Sequence, residues 1–308
     1  MLSLSCSDER AHSFEENFEK APKFPKKSVW LNSDPIAAPY TKGKVTLVYF
    51  WDYTATNCLR DITFIKKWHR IYNPYGLEVI LVHTPEFSFG QNKDNVMKAL
   101  SKFKIPFPVL LDNEAKVWEA FKVRFWPTKI LIDQWGAIEF KKGGEAGYRD
   151  TEKNIRVLLS KFNPQSVLPE PVVPTRMLPR HDESCGSATA ETYIGYKRVH
   201  WLGGEVANKR YLKQDEATIF KDRGDRVQRG FFLHGLWTNR EDYFEHARQT
   251  EALSDYLGLL YMGEQVYSVM SPGIEATEPE RVYITRDEEP IPEGLRGVDI
   301  QVDEEGKT

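Results

Sequence analysis

Residues 44–60 read KVTLVYFWDYTATNCLR, an apolar run that passes through a short polar loop to a single cysteine. Residues 44–51 are continuous in β-branched, aliphatic and aromatic side chains, the pattern of a strand buried on both faces. From Thr56 to Tyr72 the spacing turns helical, with Ile62, Ile65, Trp68 and His69 on one stripe, and Asn73-Pro74 stops it. A thiol at the start of a helix that follows a buried strand is activated, because helix N–H groups and the helix dipole favour the thiolate. In a CxxC arrangement the first cysteine attacks and the second, one turn in, resolves the mixed disulfide. Here the motif is Ala55-Thr56-Asn57-Cys58. Cys58 stands where the resolving thiol belongs and no thiol stands before it. Turnover by a dithiol route is therefore not expected.

Outward from this stretch the pattern alternates. Leu77–His83 is a second buried strand, Asn92–Lys104 a helix, Pro108–Leu111 a short strand and Glu114–Phe121 a short helix. Lys129–Asp133 and Ala137–Lys141 read as strands of a hairpin turned by Gln134-Trp135-Gly136, and Thr151–Phe162 closes the series as a helix, with Asp150 and Thr151 as its capping residues. Strand–helix–strand followed by hairpin and helix implies a mixed central sheet covered by helices. Upstream, residues 1–27 are a polar extension with a short helix around His12–Lys20.

A proline-studded spacer follows over residues 163–188, without sustained periodicity. Beyond it, Thr192–Val199, Phe231–Trp237, Asp255–Tyr261, Glu264–Met270 and Arg281–Thr285 are short segments rich in Tyr, Val and Ile, separated by Gly and acidic turns. Short strands with turn signals over 189–308 point to a β-sandwich. Asp287-Glu288-Glu289 and Asp303-Glu304-Glu305 read as solvated loops.

Composition narrows the function. The 308 residues carry 42 basic and 45 acidic side chains, a net charge of −3, with 41% hydrophobic and 13% aromatic residues. That balance argues against a nucleic-acid partner. No stretch approaches the roughly 18 apolar residues of a membrane span. Cys6, Cys58 and Cys185 are far apart, so neither a metal site nor any cofactor is expected. Leu4-Ser5-Cys6 resembles the end of a lipoprotein signal, which would make Cys6 a lipid anchor; a frayed N-terminus is the alternative, and a Cys6–Cys185 pairing stays open. No signal peptide is legible in the chain as given.

Trp30-Leu31-Asn32-Ser33, VYFWDYTATNCLR (48–60), VHTPEF (82–87), VLLDNEAKVWEAF (109–121), FWPTKILID (125–133) and GGEAGYRDTEKNIRVLL (143–159) resemble the thioredoxin-like domain of DipZ-type proteins, akin to the TlpA/ResA class of extracytoplasmic thiol–disulfide proteins. ETYIGY (191–196), GLWTNREDYFEHA (235–247) and Gln265–Met270 resemble the jelly-roll, carbohydrate-module-like domain that follows it. The resemblance implies an α/β thioredoxin-like domain over 28–162, then an all-β jelly-roll-like sandwich over 189–308, incomplete at its C-terminal end, in an extracytoplasmic protein. It also implies that Pro127 is a cis-proline opposite the Ala55–Cys58 loop, preceded by Trp126, and that Glu86 lies near the site for proton handling, an exposed loop carboxylate being the alternative. Two positions depart from the family: Ala55 replaces the attacking cysteine, and Thr63 replaces a proline.

Three functions compete. The leading one is a non-catalytic protein that holds an extended peptide or a partner subunit in a groove formed by Tyr53, Thr54, Ala55, Thr56, Asn57, Glu86, Trp126 and Pro127. The second is a one-cysteine, peroxiredoxin-like redox enzyme using Cys58, although Trp51 and Ala55 occupy the positions where that family needs Pro and Thr. The third is glycan binding by the sandwich, with Trp201 and Trp237 as sugar platforms and Tyr243 and Tyr261 as further aromatics. His69 and His83 are expected beside the first core, and His200, His234 and His246 over the sandwich; a His–Cys58 catalytic pair has no support in the spacing.

Overall fold

The computed structural model describes residues 19–40, 43–172, 189, 191–198, 205–208, 212–224, 226, 230–250, 253–263, 265–273 and 280–308. The chain divides into two compact units at Leu178–Pro179. Cys6, Cys185, His200 and Trp201 lie outside the described residues, as does most of the helix expected over His12–Lys20. Its last residue is not helical: Lys20 forms an antiparallel bridge with Ala137. The neighbouring Ala21 N–H donates to the Gly136 carbonyl and the Ile138 N–H to that of Glu19, so pairing with the hairpin supplies the hydrogen bonds a helix end would otherwise make locally.

The first unit is built on β1 (Val29–Leu31), β2 (Val45–Trp51), β3 (Leu77–His83), β4 (Val109–Leu111), β5 (Thr128–Ile132) and β6 (Ile138–Gly143), in the sheet order β1-β4-β3-β2-β5-β6. β2 runs parallel to β3 and antiparallel to β5, which places it at the centre. All of its residues are buried. Because side chains alternate across a strand, Leu47, Tyr49 and Trp51 enter one core, together with Ile62, Ile65 and Trp68 of α1 (Thr56–Tyr72) and Ile155, Leu158 and Leu159 of α4 (Tyr148–Phe162). Val48 and Phe50 enter the other, with Val117 of α3 (Lys116–Ala120) and with Phe121 and Val123 just beyond it. The two-sided apolar run is thus the physical origin of a three-layer unit.

Several boundaries differ from expectation. α2 covers only Lys93–Lys102, capped by the Asn92 side chain on the Asp94 N–H, and it ends where Lys104 takes a positive φ. α4 begins a turn earlier than Thr151. Its N-cap is Gly147 at φ +67°, so Asp150 lies inside the first turn and the Thr151 hydroxyl donates back to the Gly147 carbonyl. The expected capping by Asp150 and Thr151 is replaced by a glycine that takes a left-handed conformation at little cost.

The second unit is β-rich. β9 (Gly230–Asn239) pairs through its first half with β7 (Glu205–Val206) and β11 (Tyr256–Leu259), and through its second half with β8 (Ala217–Phe220) and β10 (Phe244–His246). A ribbon of β12 (Thr285–Arg286) and β13 (Glu289–Pro290) stands apart from this sheet. The strands expected over Thr192–Val199 and Glu264–Met270 are irregular in their described residues, and Arg281–Ile284 form no ladder. Tyr267 and Met270 remain more than half exposed. Their β-forming residue types reflect fitness for a packed, pleated surface, and among the described residues these segments pair with none.

β9 changes partners at Gly235, whose φ is +99°. A Cβ there would fall 2.0 Å from the Asp255 carboxyl carbon. That carboxylate accepts from the Leu236 N–H and from Arg248, and it contacts His246 at 3.0 Å. Replacing Gly235 with Ala should therefore cost the second unit at least ~2 kcal/mol, through strain and loss of these bonds. Urea denaturation of the full chain checks this; an unchanged midpoint would refute it.

Candidate functional site

The site forms where β2 ends. Asp52 is fully buried, and its carboxylate accepts from the N–H groups of Thr54 and Glu86, so one side chain ties the loop after β2 to the loop after β3. His83 Nε2 stands 3.7 Å from Asp52 Oδ1. Burial works to raise the Asp52 carboxyl, but His83 and the two N–H groups outweigh it and hold the group below its ordinary 3.8. The His83 ring stacks on Tyr53 at 5.4 Å and meets Trp51 edge-on at 5.5 Å. Burial, with Asp52 nearby, pushes the Tyr53 phenol up to about 12.

The turn delivers Ala55 as the N-cap of α1, without a side chain that could cap the helix. Cys58 faces inward and has no exposed surface. Its carbonyl accepts from the buried Tyr49 hydroxyl at 2.9 Å. Burial pushes the thiol well above its ordinary range, and the carboxylates of Asp52 and Asp61 push it further. The dipole advantage expected of a thiol in the first helical turn is outweighed by loss of water, which penalises the thiolate. A buried, protonated thiol is a poor peroxidatic nucleophile.

Opposite the loop, the Trp126–Pro127 bond is cis. The Trp126 indole donates to the Thr84 carbonyl at 3.0 Å, and the ring lies 4.3 Å from that of Trp118. Asn57 spans the gap. Its Oδ1 accepts the Cys58 N–H at 2.9 Å, and its Nδ2 donates to the Trp126 carbonyl at 3.1 Å. Since an N–H can only be met by the amide oxygen, this network fixes which way the side chain points. Tyr53, Thr54, Ala55, Thr56 and Asn57 thus form one continuous loop and helix start, joined to Trp126 by Asn57. Glu86 joins through its backbone, on the Asp52 side.

Sequence reading passed over the most charged part of this region. Lys129 on β5 and Asp61 on α1 form an ion pair with essentially no exposure to water. Lys129 also donates to the Gly144 carbonyl at 3.3 Å and lies 5.5 Å from the centre of the Tyr148 ring. Asp61 Oδ1 makes no hydrogen bond of good geometry, while the nearby Tyr148 hydroxyl helps Lys129 to pull the carboxyl down. The Asp61 carboxyl is pushed up to about 6, burial outweighing the pull of Lys129. One signal was present: Asp61 shares a helical stripe with Cys58, Ile65 and Trp68, a face that α1 buries.

Of the proposed sugar platforms, Trp237 belongs to the second unit and Trp201 lies outside the described residues. Trp237 is half-buried against the second unit's small core, with its indole donating to the His234 carbonyl. Tyr243 and Tyr261 are exposed. Among the described residues no cluster of His, Cys, Asp and Glu is arranged to hold a metal ion, and no helix is long and apolar enough to cross a membrane.

A central sheet flanked by helices, with a helix-start motif facing a cis X–Pro loop, defines a thioredoxin-like protein, and known proteins carry the assignment further. The Redoxin family matches residues 18–159, and the family described as thioredoxin like C-terminal domain matches residues 189–308. Protein DipZ of Mycobacterium tuberculosis is 34% identical over 238 residues, 76% of this chain and 32% of its own length. The thiol-disulfide oxidoreductase ResA of Geobacillus kaustophilus is 27% identical over 114 residues, 37% of this chain and 63% of its own. The solution structure of a putative thioredoxin from Neisseria meningitidis covers 47% of this chain and 93% of its own, at 25% identity and a TM-score of 0.41. The chain belongs to the DipZ-type thioredoxin-like proteins, and it spans about a third of the length of the DipZ proteins it matches.

The Asp61–Lys129 pair gives a test with a defined sign. Between the ordinary 3.8 and about 6, the folded protein keeps a proton on Asp61 that the unfolded chain has released, so this group's contribution falls as pH rises through that window. Replacing Lys129 with Met strands the carboxylate and should cost about 3–5 kcal/mol at neutral pH, and less near pH 5, where Asp61 takes up a proton. The double change Asp61→Leu with Lys129→Met should recover most of the loss. Urea melts at the two pH values check this; a loss equal at both would show that charge is not what matters.

Proposed function

We propose that this protein holds an extended polypeptide segment in the groove between Tyr53–Asn57 and Trp126, with dithiol exchange lost. The carrying observation is that Ala55 occupies the helix cap while Cys58, the sole thiol of the site among the described residues, is wholly buried. A dithiol cycle needs one thiolate to attack the substrate disulfide and a second to displace the mixed disulfide. Residues 55–58 supply one sulfur, protonated and out of reach. What stays available is backbone and aromatic surface: a loop edge at Trp126 that can meet an extended strand by main-chain hydrogen bonds, and an indole held in place by Thr84 and Trp118.

ResA is named a thiol-disulfide oxidoreductase; this protein is taken to keep a related fold without that chemistry. An extracytoplasmic location, domain limits of 28–162 and 189–308, and completion of the second unit as a jelly-roll-like sandwich belong to the same reading.

A soluble unfolded polypeptide with every cysteine alkylated tests binding apart from sulfur chemistry. Trp126→Ala should weaken its binding about 30-fold, the loss of an aromatic anchor worth about 2 kcal/mol. Cys58→Ser should leave binding within about twofold of wild type. The reverse ranking, read by fluorescence anisotropy, would make the thiol the functional element and overturn this reading.

A further inference from the structure

We propose that the groove selects extended segments carrying a proline at the residue that faces Trp126. This rests on the polypeptide-binding reading above and specifies the chemistry of the bound segment. The observation is an asymmetry in the Trp126 peptide groups. The Trp126 carbonyl is already engaged by Asn57 Nδ2 at 3.1 Å, whereas the Trp126 N–H has no acceptor among the described residues. An edge that pairs with a strand ordinarily offers both a donor and an acceptor. This one offers a donor that is unspent and an acceptor that is occupied from within the protein.

An incoming residue opposite Trp126 would bring its own carbonyl and its own N–H. The carbonyl finds the Trp126 N–H. The N–H meets a carbonyl already bonded to Asn57, and a buried donor without a partner carries a free-energy penalty. Proline has no backbone N–H and keeps its carbonyl, so it makes the available bond and leaves nothing unpaired. A carbonyl oxygen has two lone pairs, so the preference is graded, not absolute.

Two further features favour the same residue. The Trp126 ring is immobilised by its bond to the Thr84 carbonyl and by contact with Trp118, so a rigid aromatic face stands beside the edge. The preceding side chain, Phe125, is 63% exposed. Aromatic-lined grooves take proline-bearing segments readily, because the extended left-handed conformation is largely preformed and loses little entropy on binding. Asn57 is the specificity-determining residue in this arrangement. It is held from behind by the Cys58 N–H at 2.9 Å, so withdrawing its amide from Trp126 would also expose that donor.

Two pools of N-acetylated, C-amidated nonapeptides free of cysteine, with a central Pro or a central Ala and randomised flanks, test this on immobilised full-length protein. Wild type should retain the proline pool about tenfold over the alanine pool. Asn57→Asp keeps an acceptor for the Cys58 N–H but cannot donate to Trp126, and the ratio should fall towards one. Asn57→Ala, checked for folding by circular dichroism, should do the same. Equal retention of both pools by wild type, abolished by Trp126→Ala, would leave the groove standing and overturn the proline preference. Retention of neither pool above the Trp126→Ala level would overturn the polypeptide-binding reading, and this inference with it. An unaltered ratio in both Asn57 variants would also overturn it.

Discussion

Lys129 enters the interior from β5, two residues beyond Pro127, and meets Asp61 coming from the first turns of α1, with water excluded from both. Hydrophobic contact is non-directional, so the apolar face of α1 by itself specifies burial but not the exact placement of the helix on the sheet. A buried ion pair does the opposite. It adds little net stability, because desolvation offsets the attraction, yet breaking it leaves an uncompensated charge. Its consequence here is positional. α1 is held against β5 at Asp61, and one turn nearer its start Asn57 reaches the Trp126 carbonyl. The start of α1 and the Trp126 loop are thereby joined by a charge contact and an amide contact.

The same two contacts hold the loop after β2 and the start of α1 in place. Neither uses residue 55. Ala55 contributes a backbone turn and a buried methyl group, and the Asp52 carboxylate organises that turn from inside, through Thr54 and Glu86. Thr63, where the family pattern has a proline, is exposed on α1, and the helix runs unbroken through it. A proline in a helix interior removes a backbone donor and bends the helix.

Much of the first unit was legible in the sequence, for definable reasons. The run 44–51 is apolar on both faces, Asn73-Pro74 terminates the helical stripe, and Leu77–His83 repeats the buried-strand pattern; α1 and β3 have the expected limits. β1 escaped as a structural element because three residues carry no readable period. The start of α4 escaped because Gly147 and Tyr148 follow a glycine-rich turn and look like more of it. In the second unit, Phe231–Trp237 was identifiable as strand, whereas residues 265–270 also carry β-forming side chains but have no partner ladder among the described residues. The candidate site divides in the same way. Its contiguous pieces, 53–58 and 126–127, could be read from local motifs. Asp61, Lys129 and Asp52 were not singled out, and His83 was placed only beside the core, because charged residues usually lie on solvated faces and their pairing is made only by the tertiary fold.

The central claim, a thioredoxin-like groove without dithiol exchange, is tested most directly by the rate at which dithiothreitol reduces insulin disulfides in the presence of the full-length protein. The expected result is a rate equal to that without protein. Substituting Ala55→Cys in the same chain supplies the missing attacking sulfur and reports whether the helix start retains catalytic geometry. Acceleration by the wild-type chain comparable to that of an active thioredoxin would contradict the claim and place this protein among its thiol–disulfide relatives in chemistry as well as in fold.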